Sequence, residues 1–195
     1  MNRRNLFIAT AAIIAAAPQL LFAHPGHGSA EHSMLRGALH PLTGWDHLLA
    51  MLSLGMWATQ WNGRLRFALP VATTVSIGLG AFLAKTGISL PQVEAGILAS
   101  VIILGLMLLF AFRLPAKFAL PMAMLFGVFH GYAHMAELPV NVSASSYLIG
   151  FLLTSSGLMA AGFLGGDTAI RLSQTKWIRA FSVTVLAICG VAMLA

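Results

Sequence analysis

The chain has 195 residues, 58% of them hydrophobic and only 8% charged, with a formal charge of +6. Soluble domains carry about 25% charged residues, so a water-soluble globular fold is excluded and the apolar excess is expected to face lipid. The basic residues sit in short gaps between apolar runs, which argues against a nucleic-acid surface, and the single cysteine, Cys189, excludes a disulfide scaffold or a cysteine-based zinc site.

In chain order, residues 1–23 read as a cleavable signal peptide. Arg3 and Arg4 precede an apolar stretch from Leu6 to Ala17, and Leu21-Phe22-Ala23 forms a tolerable cleavage site. Retention of this stretch as a seventh helix is the alternative. Residues 24–36 form an exported segment containing His24, His27 and His32. Cleavage after Ala23 leaves the free amine and ring of His24 able to chelate a metal together; a short flexible tail is the plainer reading.

Residues 37–195 are predicted to form one transmembrane domain. Its apolar stretches fall at roughly 37–59, 67–84, 92–112, 118–137, 144–166 and 177–195, each about as long as a bilayer crossing requires. Arg64, Arg66, Arg113, Lys117, Arg171, Lys176 and Arg179 fill the odd-numbered gaps, against Lys85 alone in the even ones. By the positive-inside rule the odd gaps are cytoplasmic and both mature termini lie outside. The fold class expected is therefore an all-α polytopic membrane protein with six transmembrane helices after the signal peptide. Gly157, Ala161 and Gly165 suggest a small-residue packing face, and Trp45, Trp57, Trp61 and Trp177 suggest interfacial anchors. The methionines are scattered and read as packing. Asp167 reads as an end cap.

Ionisable groups inside spans are costly and usually face a protein interior or a watery path. The first span carries His40-Pro41-Leu42-Thr43-Gly44-Trp45-Asp46-His47, the fourth carries His130-Gly131-Tyr132-Ala133-His134-Met135-Ala136-Glu137, and Glu94 opens the third. Residues seven apart, like residues at i, i+4 and i+7, share a helix face. With the two spans running oppositely, His40 and Glu137 are expected near the outer surface and His47 and His130 about 10 Å deeper, with Glu94 near the upper level. Imidazoles and carboxylates without a thiolate suit Ni²⁺, Co²⁺ and Zn²⁺. Asp46 or Glu94 is a candidate to orient a ligand histidine through its second ring N–H. Mutual hydrogen bonding between helices is the plainer reading, which so many histidines and acids at matching depth disfavour.

The patterns H-P-x-x-G-x-D-H and F-H-G-x-A-H-x-x-E resemble those of the HupE/UreJ family of nickel/cobalt permeases, and the likeness extends to Glu94-Ala95-Gly96-Ile97-Leu98-Ala99-Ser100 and the His-containing N-terminus. The resemblance implies a non-enzymatic secondary transporter taking up Ni²⁺ or Co²⁺ across the bacterial inner membrane. It points to His40, Asp46, His47, His130, His134 and Glu137. The partners expected are the divalent ion and the lipid bilayer, with a homo-oligomer left open. No prosthetic group is expected. The sequence departs from the family pattern at Met135, where glycine is frequent, and at Met159, where many members have histidine. The chain has no phosphate-binding loop with its Lys-Ser/Thr, so it is not expected to hydrolyse ATP. The rival functions are a membrane-embedded zinc hydrolase, which needs an open coordination position, and a haem electron carrier.

Overall fold

In the computed structural model, which describes residues 30–193, seven helices and no strand are found among the described residues. They are α1 (Ala30–Thr43), α2 (Trp45–Ala58), α3 (Leu65–Lys85), α4 (Val93–Leu109), α5 (Ala116–Ala136), α6 (Ala144–Arg171) and α7 (Lys176–Ala192). The expected signal peptide, together with His24 and His27, lies outside the described residues.

The expected first span is two helices, and it begins earlier than the apolar run. Residues 30–36, assigned above to the exported segment, are helical, and Ser33 is buried with its hydroxyl oxygen accepting the Ser143 N–H at 3.0 Å. The break falls at Gly44, which is extended with φ −83° and ψ 108°. Its cause is local. Pro41 removes a backbone donor from the end of α1. The Thr43 hydroxyl donates to the His40 carbonyl at 3.0 Å, and the Asp46 carboxylate accepts the His47 N–H at 2.8 Å. The His40 carbonyl still accepts the Gly44 N–H at 3.1 Å, so the Thr43 hydroxyl adds a second bond there, while the Asp46 carboxylate takes a His47 N–H that the break leaves without its helical partner.

Two parallel pairs organise the bundle. The α1–α2 unit runs alongside α6 in the same direction: Ser33 meets Ser143, Gly37 meets Tyr147, and Gly162 meets Leu52, each pair 110 residues apart. In the same way α3 runs parallel to α5, with Thr73 beside Ala123 and Gly131 beside Ile77. Close approach requires glycine at these crossings, since a Cβ on Gly37, Gly131 or Gly162 would overlap the partner's backbone. The remaining pair, α4 with α7, closes the side of the bundle.

These contacts correct two expectations. Gly157, Ala161 and Gly165 are exposed; the packing face of α6 is Tyr147, Phe151, Ser155, Met159, Gly162 and Gly166, whose spacing of three and four follows the helical repeat. Trp57 and Trp61 are buried, not interfacial. The Trp57 indole N–H donates to the Phe112 carbonyl at 3.1 Å, and its ring meets Trp61 edge-to-face at 4.6 Å. Trp45 and Trp177 are exposed as expected.

Helices α3 and α6 are long and apolar enough to cross a membrane. The others fall short of that test for visible reasons: α1 and α2 are divided at Gly44, α4 and α7 have 17 residues each, and α5 carries two histidines. Phe67, Val71, Val75, Leu79 and Phe82 form an exposed apolar stripe along α3. Such a stripe on a monomer marks contact with lipid or with another chain.

Candidate metal site

One end of the bundle gathers the histidines. Helix α2 presents His47 one turn after the Gly44 break, and the carboxyl-terminal part of α5 presents His130 and His134 one turn apart. His47 and His130 have no exposed surface and His134 is 9% exposed. A nitrogen from each of these three rings lies within 4.8 Å of the other two. The closest approach is His47 Nδ1 to His130 Nδ1, at 3.2 Å. Two nitrogens bound about 2.0–2.1 Å from one ion lie about 2.8–3.4 Å apart at bond angles from right-angled to tetrahedral. The observed spacing falls within that range.

His40 joins from α1. Its Nε2 lies 2.7 Å from His134 Nδ1, so one ring donates to the other. The opposite nitrogen, His134 Nε2, is buried without a hydrogen-bond partner. Native interiors rarely leave such an atom unpaired, and a cation is one partner that would satisfy it. His40 therefore both touches the cluster and orients His134. The expected two-level ladder is corrected here: His134 has its ring centre 4.5 Å from that of His40 and 5.2 Å from that of His47, so the rungs form one continuous group. Phe151 of α6 provides the apolar wall, its ring centre 4.7 Å from that of His47 and 4.8 Å from that of His134.

The carboxylates are dispersed. Glu137 is exposed and lines, with His32, Arg36, His40, His134 and Tyr147, a cavity of about 700 Å³ that leads to the histidines. Asp46 is half-buried and accepts the His47 backbone N–H. Glu94 is exposed in the first turn of α4 and is not in the three-histidine group.

The groups holding the outer ring nitrogens are serines, not the carboxylates expected. Ser155 Oγ lies 2.9 Å from His47 Nε2, and Ser100 Oγ lies 2.9 Å from His130 Nε2. Asp46 instead directs one carboxylate oxygen to the His47 backbone N–H. Sequence reasoning missed Ser100, Ser155 and Phe151. Serine in an apolar helix commonly turns its hydroxyl back to its own backbone, so type alone gave no signal; only their register on the buried faces of α4 and α6 does.

Asp167 lies at the other end. It pairs with Arg66 and Arg171 at 2.6 Å each, tying the start of α3 to the end of α6. It is an ion-pair bridge where an end cap was expected. Met159 is buried one turn inward of Ser155.

A sequence model of the family described as HupE / UreJ protein matches residues 11–193. The chain is similar to Protein HupE of Rhizobium leguminosarum bv. viciae, with 32% identity over 189 residues covering 96% of each chain. No solved structure matches it.

Proposed function

The chain belongs to the HupE/UreJ family, and on that premise we propose that it is a permease taking up Ni²⁺ or Co²⁺ across the bacterial inner membrane. The observation carrying this reading is the meeting of three buried imidazoles, one of which, His134, has an unpartnered nitrogen and lines a cavity together with His40 and Glu137. His47, His130 and His134 bind the ion. His40 orients His134, while Glu137 and the His24, His27 and His32 segment draw ions toward the mouth. Asp46 acts through His47, and Glu94 supplies charge at the same end.

In this reading residues 1–23 are removed as a signal peptide, residues 24–36 lead into the membrane domain from the periplasm, and α1–α2 with α3 to α7 make six crossings. The seven basic residues of the odd gaps support that orientation, because the histidines cluster at the end away from Arg66 and Arg171. A potential of 100 mV, negative inside, favours inward movement of a divalent ion by about 4.6 kcal/mol. That driving force needs no nucleotide hydrolysis. The donor set also suits the cargo: neutral imidazoles bind borderline divalent ions without the grip of thiolates, and a transporter must release what it binds.

The test is metal accumulation in a host stripped of its own nickel and cobalt importers, with both metals in competition. His47→Ala, His130→Ala and His134→Ala are each expected to reduce uptake about tenfold or more. Unchanged uptake at equal expression removes this reading.

A further inference from the structure

On the metal-transport reading, the rings must offer unprotonated nitrogens to the ion at the right point. We propose that Ser100 and Ser155 are positioning residues that hold His130 and His47 as Nε2–H tautomers, so that both aim an Nδ1 lone pair at the same cation-sized gap.

A serine hydroxyl has one hydrogen, and a backbone carbonyl can only accept. Ser100 Oγ lies 2.6 Å from the Ile97 carbonyl, and Ser155 Oγ lies 2.7 Å from the Phe151 carbonyl. Both distances are those of well-formed O–H···O bonds, so each hydroxyl hydrogen is spent on its own helix. Each Oγ then faces its histidine with lone pairs only. At 2.9 Å from Oγ, the ring Nε2 must be the donor, which places the proton of each neutral imidazole there.

The consequence appears on the inner side of the rings. His47 Nδ1 and His130 Nδ1 are 3.2 Å apart in a place with no solvent exposure, and neither holds a hydrogen for the other. Donation from one ring to the other would require a serine to abandon its carbonyl and turn its hydrogen toward the imidazole. The serines thus set the two rings against each other as paired acceptors. A divalent cation between them satisfies both at once. The hydroxyls come from α4 and α6, whereas the rings come from α2 and α5, so four helices fix the orientation of two nitrogens.

The experiment uses the full chain in detergent micelles, labelled with ¹⁵N-histidine and freed of metal, with ring resonances assigned by His47→Asn and His130→Asn. Wild-type ¹⁵N shifts are expected to report both rings as Nε2–H. Ser100→Ala is expected to release His130 alone to a tautomer mixture, and Ser155→Ala to release His47 alone, while Ser100→Thr and Ser155→Thr restore the fixed form. Nickel affinity on the same samples is expected to fall about 10–100-fold in each alanine variant and recover with threonine. Either ring found as Nδ1–H in the wild type overturns the proposal, whether or not the variants fold. Tautomers unchanged in folded alanine variants overturn it too. Fixed Nε2–H rings in a wild type that binds no nickel would uphold the serine assignment and sink the transport reading.

Discussion

In the proposed permease, Asp46 acts without touching the ion. Its carboxylate accepts the N–H of His47 where α2 starts, satisfying a donor that the helix itself leaves unpaired. Asparagine keeps the accepting oxygen and alanine does not. Asp46→Ala is therefore expected to lower stability by about 1 kcal/mol and to reduce uptake more than Asp46→Asn, which thermal melts in detergent and metal accumulation will read. Equal uptake defects in the two variants would instead assign Asp46 a role through its charge. The histidines were legible in the sequence because an imidazole inside an apolar run demands an explanation. Ser100 and Ser155 were not, since nothing in a lone serine tells which neighbouring ring its oxygen faces. Glu94 shows the converse: its type and depth fitted the expected site, but its place on α4 leaves it exposed.

Among the elements, the apolar runs announced where helices lie, and Pro41 and Gly44 marked the place where the first one breaks. Which helix faces which was not legible. Gly157, Ala161 and Gly165 satisfy the small-residue spacing as well as the true contact face does, and only the partner helix decides between them. Substitution separates the two faces. A Cβ on Gly131 would overlap the Ile77 carbonyl, whereas Gly157 has nothing within 4 Å. Gly131→Ala is expected to cost about 1–3 kcal/mol by forcing α3 and α5 apart, with Gly157→Ala within about 0.5 kcal/mol of neutral. Thermal unfolding of the two proteins in the same detergent makes the comparison, and a neutral Gly131→Ala would show that the α3–α5 seam is looser than the structure has it.

At the scale of the whole molecule, charge and chemistry are sorted to opposite ends. His40, His134 and Glu137 line the cavity, while the Arg66–Asp167–Arg171 bridge and the buried Trp57–Trp61 pair lie at the other end. Arg36 runs against this sorting, since it puts a positive charge on the cavity lining itself. At about 10 Å in water it repels a divalent ion by about 0.8 kcal/mol. Arg36→Gln is accordingly expected to speed initial uptake about fourfold at low ionic strength, with the gain fading as salt shortens the reach of the charge; a rate unaltered at low salt would place Arg36 away from the ion's route. The parallel seating of α1–α2 on α6 carries a consequence for biosynthesis. Contacting partners are 110 residues apart, so the earliest helices emerge from the ribosome long before the surface they rest on exists. A nascent chain halted after α5 would already own every imidazole of the cluster yet lack Phe151 and Ser155, the wall and the hydroxyl behind them. On the proposed metal-transport reading, the site is therefore complete only once α6 has been made, late in translation.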